Sequence, residues 1–335
     1  MNDTIYLLTG AAGNLGSSIS RELVAQGKKV RALVLKGDPA AERIPKEVEV
    51  FIGDITDKTS LEKFFTVEKG AETIVIHCAS IVTVDPEYNQ KVYEFNVNGT
   101  RNIVNKCLEH KVKKLVYVSS TSAIPELPKG QVIREVDFFA PDAVIGYYGK
   151  TKAEATQLVL DAVCKKGLDA SIVFPTGIFG PYDYAYGYAA NAIMDCVKEK
   201  LLAGIGGCFN AVDVRDLAVS VIACAEKGRK GEGYIMSNET ASIRDLFKII
   251  SRLTGAREVK VFLPLWIANI LATLLEFISK FTKKPALFTR FSIYNLARNN
   301  DFSSEKAKRE LGYTVRPFEE TIADEILWLK SERKI

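Results

Sequence analysis

The chain has 335 residues, enough to bury a large core, and we expect one large domain with a smaller lobe rather than two equal domains. Its formal net charge is only +4 and it has no dense block of Lys or Arg, so nothing in the composition indicates a nucleic-acid partner. Six cysteines without a C-x-x-C pair and two histidines form no clustered ligand set, so we expect no metal site.

The N-terminal stretch MNDTIYLLTG lacks a basic region followed by an apolar core. We therefore expect no signal peptide, free thiols and a cytoplasmic protein. Residues 261–275 are uncharged but include Pro264 and Asn269, and they are fewer than the roughly 20 apolar residues that a bilayer span needs. We predict a buried or lid-forming helix pair there and no transmembrane span, with peripheral contact with a membrane surface as the alternative.

The first half of the chain alternates apolar, β-rich runs with segments of helical periodicity. The predicted strands cover residues 4–8, 30–35, 48–52, 73–78, 114–119 and 170–174, and the predicted helices cover 15–26, 60–65, 92–109 and 149–166. Continuous Val, Ile and Leu strands between helices indicate a parallel sheet covered on both faces. The fold class is therefore α/β, with a doubly wound parallel sheet.

A glycine-rich turn, TGAAGNLG, places Gly10, Gly13 and Gly16 between the first strand and the first helix. Glycine lets the backbone approach a ligand closely, and a helix N-terminus presents free N–H groups and partial positive charge to a pyrophosphate. The spacing is one residue longer than G-x-G-x-x-G. Its position after a strand and before a helix predicts a dinucleotide cofactor, against the alternative of a purely structural turn.

After Pro175 the pattern loosens into loops rich in Gly, Tyr and Pro. The predicted helices that follow cover residues 189–199, 216–226, 242–254, 265–281 (a pair), 304–311 and 318–329. We assign residues 1–175 to a dinucleotide-binding domain, to which residues 209–227 return, and residues 176–335 mostly to a substrate-binding lobe. This lobe is expected to close over the carboxyl edge of the sheet, where open α/β sheets bind ligands.

The end of the second strand bears on the choice between NAD and NADP, because a carboxylate there binds ribose hydroxyls and a basic residue suits a 2′-phosphate. VRALVLKGD has no acid at the strand end, and Lys36 follows it, with Arg31 as a second cation. We predict NADP, with NAD as the alternative; the plain alternative for Lys36 is an ordinary exposed lysine. Asp54 and Ile55 are candidates for the adenine edge, and Asp54 is equally a candidate turn or helix cap.

Tyr148 and Lys152 lie four residues apart at the start of a predicted helix, so they share one face. A free tyrosine has a pKa of about 10, and a nearby ammonium favours the phenolate. Ser119, Ser120 and Thr121, at the end of the fifth strand, lie at the right edge to orient a substrate oxygen. Tyr-x-x-x-Lys alone is common on helix surfaces, but this context predicts proton exchange at a carbonyl or carbinol oxygen while hydride moves at carbon.

Together these residues resemble the extended short-chain dehydrogenase/reductase superfamily, the NAD-dependent epimerase/dehydratase family, nearly end to end. The matching segments are TGAAGNLG, GDITD, HCAS at 77–80, NVNGT at 96–100, YVSST at 117–121, YYGKTK at 147–152, FPTGIFGP at 174–181, VDVRDLA at 212–218 and DFSSEKAKRELGY. The resemblance implies a Rossmann-type doubly wound sheet with a smaller, mostly helical C-terminal substrate lobe. It also implies an NAD(P)-dependent enzyme.

The resemblance implies that Tyr148 is the general acid/base and that Lys152 binds the nicotinamide ribose and lowers the tyrosine pKa. Thr121 is then the orienting hydroxyl, with Ser120 as the next candidate. The remaining cofactor contacts that it implies are Asn14, Leu15, Ala79, Asn96, Ser119, Pro175 and Ile178. It further implies a homodimer, in which the helices carrying Asn96 and Tyr148 pair across a four-helix interface.

Two positions depart from the sugar-nucleotide epimerases of that superfamily: Gly177 stands in place of an asparagine that reads the sugar diphosphate, and Phe174 in place of an arginine. The apolar residues 266–281, followed by LFTRFSIYNLARNN, resemble the dihydroflavonol reductase and 3β-hydroxysteroid dehydrogenase branch, which acts on apolar ketones and alcohols. Tyrosines at 182, 184, 186 and 188 indicate either an aromatic substrate mouth or a flexible surface loop.

The leading hypothesis is therefore an NAD(P)-dependent oxidoreductase that transfers hydride between the cofactor and a carbonyl or hydroxyl of a bulky, largely apolar small-molecule substrate. The first alternative is a nucleotide-sugar epimerase or dehydratase with tightly bound NAD. A second alternative, from another class, is a non-catalytic regulator that senses the cofactor on the same fold.

Overall fold

The computed structural model describes residues 4–282 and 289–335. Its strands, in chain order, are β1 (Thr4–Thr9), β2 (Lys29–Val34), β3 (Glu49–Ile52), β4 (Glu72–His77), β5 (Lys114–Val118), β6 (Ala170–Pro175), β7 (Gly177–Phe179), β8 (Gly204–Ile205), β9 (Cys208–Asp213), β10 (Gly233–Met236), β11 (Thr240–Ser242) and β12 (Phe262–Leu263). The first two residues of LFTRFSIYNLARNN, which carries part of the resemblance, lie outside the described residues.

The helices begin behind the glycine-rich turn and continue to the C-terminus. In chain order they are α1 (Asn14–Ala25), α2 (Glu62–Phe65), α3 (Gln90–Tyr93), α4 (Thr100–Glu109), α5 (Tyr147–Lys166), α6 (Tyr188–Val197), α7 (Val214–Lys227), α8 (Ile243–Thr254), α9 (Leu265–Thr282), α10 (Arg290–Ala297), α11 (Glu305–Leu311) and α12 (Phe318–Ser331).

Seven parallel strands form the main sheet in the order β3-β2-β1-β4-β5-β6-β10. Alternate residues face opposite layers: Leu7 and Val75 belong to one buried apolar cluster, and Leu8 and Ile76 to the other. The order reverses between β1 and β4, and the crevice at the carboxyl ends of these strands is where such sheets bind ligands. The predicted Rossmann-type fold is confirmed.

The smaller lobe contains more strand than the sequence predicted. Strands β11, β9 and β7 form a three-stranded sheet, and β12 pairs with β8. Phe179, Leu246 and Phe318 join the sheet and helices of this lobe in one buried cluster. Most of these strands have two or three residues, which is too short to show a period of two, so the prediction of a mostly helical lobe missed them.

The segment predicted to return to the first domain does contact the main sheet. α7 packs against α1 and against β5 and β6, and β10, which follows it, pairs with β6. The division of the chain at residue 175 stays a prediction.

Two predicted helices differ from the structure. Residues 92–109 are not one regular helix, because a π-helical segment, Glu94–Gly99, separates α3 from α4. Such widened turns often occur at functional sites. The predicted helix pair at 265–281 is one helix, α9, because Pro264 precedes it instead of interrupting it, and the Asn269 side chain donates to the Leu265 carbonyl at 3.0 Å.

Candidate active site

The glycine-rich turn is packed against its neighbours so closely that side chains are excluded. A Cβ on Gly16 would lie 2.0 Å from the Gly10 carbonyl oxygen, and one on Gly10, where φ is +74°, would lie 2.7 Å from the Ala79 nitrogen. The glycines therefore bring α1 close to β1, and the turn close to the loop that follows β4.

The start of α1 fits a dinucleotide pyrophosphate. Gly13 provides no side-chain cap, the first turn of α1 has no acidic residue, and the N-terminal N–H groups carry partial positive charge. The Asn14 side-chain oxygen is buried without a hydrogen-bond partner in the described part of the chain. The Leu15 side chain lies in the core, so only its backbone is available to a cofactor.

We expect Gly16→Ala to destabilise the protein by about 2 kcal/mol or more and to abolish cofactor binding, because the new methyl group overlaps the Gly10 carbonyl. Gly27→Ala is the control: Gly27 has open space around it, so the only cost is about 1 kcal/mol for its left-handed backbone, where φ is +68°, and cofactor affinity is unchanged. Chemical denaturation and fluorescence titration with NADPH measure both effects. Equal stability of the two variants would contradict the crowding argument.

Two cations are candidates for binding a 2′-phosphate at the end of β2, and in the structure only Lys36 is free to do so. Lys36 is exposed just beyond the strand. Arg31 is paired with Leu7 in the middle of the sheet, and its guanidinium donates to Glu49 and to the Thr66 carbonyl, both at 2.6 Å. Arg31 is therefore not the second cation for a 2′-phosphate.

The predicted adenine-edge residues have local structural partners. The Asp54 carboxylate accepts hydrogen bonds from the Thr56 amide and hydroxyl, both at 2.8 Å, so it shapes the turn after β3. Ile55 is buried against Gly99, where a Cβ would lie 2.6 Å from its Cδ1 atom. A role for either residue at the adenine stays a prediction.

Asn96 lies in the π-helical segment and holds the loop after β4. Its side-chain oxygen accepts from the Ile81 amide at 2.8 Å, and its nitrogen donates to the Ile81 carbonyl at 3.0 Å and to Thr151 Oγ1 at 3.1 Å. All its polar atoms are engaged, so Asn96 positions the half-buried Ala79 loop against α5 instead of presenting its side chain to a ligand.

The other predicted cofactor contacts lie at the ends of β5, β6 and β7. The Ser119 hydroxyl is hydrogen bonded to Thr156 Oγ1 at 2.7 Å inside the protein, so its side chain joins β5 to α5. Pro175 ends β6, and Ile178 lies half-buried in β7, which pairs with β9 in the smaller sheet.

Tyr148 lies in the first turn of α5, and the structure brings two serines to it. Burial raises the pKa of the Tyr148 phenol, whereas hydrogen bonds with the side chains of Ser80 and Ser120 lower it in part. Sequence reasoning missed Ser80, although it is the last residue of the HCAS segment beside Ala79. The phenol therefore lies between the ends of β4 and β5, at the predicted edge of the sheet.

Lys152 carries its ammonium group into the interior. Its side chain is 2% exposed, and Nζ donates to the Val118 carbonyl at 2.7 Å and to the Tyr117 hydroxyl at 3.3 Å. Nζ also lies 4.7 Å from the centre of the Tyr117 ring, a cation–π contact. No carboxylate in the described part of the chain forms an ion pair with it, and burial lowers the pKa of Lys152 to about 7.

A buried histidine, His77, packs against Tyr117, the residue that contacts the Lys152 ammonium. His77 Nδ1 lies 2.6 Å from Thr9 Oγ1, and Nε2 lies 3.0 Å from Thr100 Oγ1. Because the Thr100 hydroxyl donates to the Asn96 carbonyl at 2.7 Å, we infer that Nε2 carries the proton and Nδ1 accepts from Thr9. The His77 ring stacks on Tyr117 at 5.6 Å, and burial lowers the pKa of His77 to about 3, so it stays neutral.

We expect Lys152→Met to stabilise the cofactor-free protein at pH 7 by a few kcal/mol, since one pKa unit corresponds to about 1.36 kcal/mol, and to abolish turnover. The Lys152 pKa is lower in the folded state than in the unfolded state, where it is near 10.5. The unfolded state therefore binds more protons than the folded state between pH 7 and 10.5. As a result, the contribution of Lys152 to the stability of the folded protein rises with pH across that window.

The measurement is denaturant unfolding of wild type and variant from pH 6 to 9. Lys165→Met is the control, because Lys165 lies on the same helix with its side chain 71% exposed. The expectation fails if Lys152→Met is less stable than Lys165→Met at pH 7, or if both keep the wild-type pH slope.

The two candidates for the orienting hydroxyl have different partners. Ser120 contacts Tyr148, and its Oγ accepts from the Ser122 amide at 3.1 Å. The Thr121 hydroxyl donates to the Pro175 carbonyl at 3.2 Å. The structure thus places Ser120 at the phenol, and the assignment of Thr121 stays a prediction.

We expect Ser120→Ala to lower kcat by about 10²-fold, the usual effect of losing one donor at a developing oxyanion, and Thr121→Val to lower it less than tenfold. Cofactor affinity should change little in both variants. Steady-state kinetics with a common ketone compares them. The reverse order would make Thr121 the orienting group.

One group of possible metal ligands lies on the surface of the described chain, far from this edge in sequence: Glu62, Glu109 and His110. The Lys106 ammonium contacts both carboxylates. The Lys106 ammonium thus already lies between the two carboxylates. The absence of a metal site stays a prediction.

Three of the four tyrosines in the tyrosine-rich loop contact other parts of the protein and do not line an aromatic substrate mouth. The Arg21 guanidinium on α1 lies 4.8 Å from the Tyr182 ring and donates to the Tyr184 hydroxyl at 3.2 Å. Tyr186 stacks on Trp328 of α12 at 5.8 Å. The loop therefore joins α1 to the smaller lobe, and of the four tyrosines only Tyr188 is largely exposed.

A doubly wound sheet with a glycine turn before α1 and a Tyr–Lys pair in α5 defines an enzyme of the short-chain dehydrogenase/reductase class. Residues 6–237 match the NAD dependent epimerase/dehydratase family, and the chain belongs to that family. Sterol demethylase protein B of Methylococcus capsulatus is 28% identical over 98% of this chain and 99% of its own. Putative dihydroflavonol 4-reductase of a Synechocystis strain is 26% identical over 97% and 94%.

The crystal structure of gox2253 is similar along the whole of both chains, with a TM-score of 0.85 and 30% identity. The extended short-chain dehydrogenase/reductase assignment is thus confirmed, as is the prediction of an enzyme. No helix among the described residues is both long and apolar enough to cross a bilayer.

Proposed function

We propose that the protein is an NAD(P)-dependent oxidoreductase that reduces a carbonyl, or oxidises the corresponding hydroxyl, of a bulky and largely apolar substrate. The observation that carries this proposal is the Tyr148 phenol held between Ser80 and Ser120, four residues from the buried Lys152 ammonium. This combination of an acid, a hydroxyl donor and a cation without a carboxylate partner suits proton transfer to a developing alkoxide.

A bound nicotinamide would supply or accept the hydride at the substrate carbon. Tyr148 would give a proton to the substrate oxygen in reduction and take it back in oxidation. Ser120 or Thr121 would hold that oxygen in line with the phenol. Ribose hydroxyls would give the buried Lys152 ammonium the polar partners that it lacks, and the charged ammonium would then favour the phenolate by Coulomb attraction.

Two features support an apolar substrate. Position 177, where the epimerases of the superfamily have an asparagine, is an exposed glycine without a side chain to read a sugar diphosphate. Two relatives, a sterol demethylase protein B and a putative dihydroflavonol 4-reductase, are named for large ring systems. The exposed Lys36, with no acid at the end of β2, supports NADP over NAD.

A nucleotide-sugar epimerase or dehydratase with tightly bound NAD is the second candidate, because the family includes both activities. NAD retained through purification, together with stabilisation by a nucleotide sugar, would favour it. A non-catalytic regulator has less support, since Thr121, Tyr148 and Lys152 are all present. The homodimer and the cytoplasmic location stay predictions.

We expect Tyr148→Phe to lower kcat at least about 10³-fold while NADPH affinity stays within about twofold, because only the transferable proton is lost. Tyr147→Phe is the matched control, since Tyr147 is the neighbouring residue and its ring packs against Tyr88 at 5.4 Å instead. The assay follows NADPH and NADH oxidation with steroid and flavanone ketones. Full activity of Tyr148→Phe, or loss in both variants alike, would refute the assignment.

A further inference from the structure

The outward face of α9 is unusually apolar. Trp266, Ile270 and Leu274 are spaced four residues apart, so they lie on one side of the helix, and they are 66%, 62% and 54% exposed. Leu271 lies beside them and is also exposed. A surface helix of a globular protein normally turns such residues inward.

The inward face of the same helix carries small residues. Ala268 and Ala272 are fully buried and form a cluster with Ile293 of α10. The helix is thus fixed to the protein through alanines while its large apolar side chains face outward, so the exposed residues are not left over from a poorly packed core.

The apolar surface continues beyond α9. Val261 and Leu202 are both strongly exposed, and the Gly204 amide donates to the Val261 carbonyl at 2.9 Å, which brings them together at the N-terminal end of the helix. No charged residue occurs from 261 to 275. Contiguous exposed apolar surface of this kind marks a binding surface.

The charges beside this surface favour an anionic partner. Two neighbouring stretches, residues 198–200 and 257–260, are linked by a hydrogen bond from the Arg257 amide to the Glu199 side chain at 3.0 Å. Their charged side chains are all exposed: Lys198, Lys200, Arg257 and Lys260 against Glu199 and Glu258. Lys200 is paired with Asp195 at 2.9 Å, so the border of the face carries a small positive excess. Basic residues at the border of an apolar face that contains a tryptophan are typical of helices that lie in the headgroup region of a bilayer.

We propose that this face, formed by Leu202, Val261, Trp266, Ile270, Leu271 and Leu274, docks the protein on the surface of an anionic lipid bilayer, with α9 lying in the plane of the interface. In addition, and resting on the proposed function, the docked protein takes its apolar ketone or alcohol directly from that bilayer.

The packing connects the docking face to the candidate active site. α9 packs on α10, and the ring of Phe291 in α10 covers Gly146, where an added Cβ would lie 2.1 Å from a ring carbon. Gly146 immediately precedes α5, two residues before Tyr148. Through α10 the docking face is thus joined to the residue just before the helix that carries Tyr148, and a substrate that partitions into the bilayer would enter from this side.

The experiment is flotation of the full chain with vesicles of phosphatidylcholine alone or mixed with phosphatidylglycerol. The chain has two tryptophans, and Trp328 is buried, so Trp328→Phe leaves Trp266 as the reporter. We expect flotation with the anionic vesicles, a blue shift of Trp266 emission, and quenching by brominated lipid.

The test variant is Trp266→Gln with Ile270→Gln, and the control is Leu327→Gln, because Leu327 is 63% exposed on α12, which packs on α6 and α8. We expect vesicle partitioning to fall at least about tenfold in the test variant and to stay unchanged in the control. If the double variant unfolds at a lower temperature than the control, Leu274→Gln alone replaces it.

Docking is overturned if the wild type stays unbound with both vesicle types, or if test and control variants float equally. It is also overturned if the face is covered by a second copy, seen as a lipid-independent dimer that the Trp266 variant abolishes.

Flotation needs no turnover, so flotation without ketone reduction would refute the proposed function alone. Reduction of a water-soluble ketone without flotation would refute docking alone. Slower turnover of a vesicle-borne ketone only in the test variant supports both.

Discussion

The buried ammonium group of Lys152 is the constraint on which the rest of the site depends. A cation in the interior is costly unless polar groups surround it, and here only the Val118 carbonyl and the Tyr117 hydroxyl and ring contact it among the described residues. Tyr117 in turn is stacked on His77, which is held between two threonines. The group is therefore held in one place, and no carboxylate among the described residues pairs with it.

The fold makes this arrangement possible through its parallel sheet. β4 and β5 are neighbours, so the residues that follow them, including Ser80 and Ser120, reach the same edge from different parts of the chain. α5 then crosses beside that edge and presents its first turn to it. The glycine turn follows β1, which pairs with β4, so the turn and the candidate chemical site lie at the same carboxyl edge of the sheet.

The smaller lobe contacts the first domain in two separate places. The tyrosine-rich loop fixes it to α1 through the Arg21 side chain, whereas α10 contacts Gly146, just before α5, and α9 packs on α10 with an apolar surface outside. The lobe is thus attached to α1 on one side and has an apolar face on the other. An enzyme whose substrate is poorly soluble in water needs such a face to reach a bilayer, which connects the proposed function with the docking surface.

Local patterns in the sequence determined the order of strands and helices in the first half, the glycine turn and the spacing of Tyr148 and Lys152, because these depend on periodicity and on residues close in the chain. The two-residue strands of the lobe carried too little pattern to be found. Only the tertiary structure decided that Arg31 pairs with Glu49, that Asn96 clamps Ile81, and that Ser80 meets Tyr148. It also decided that α9 turns its large side chains outward, since which face of an apolar helix is covered depends on neighbours far away in the sequence.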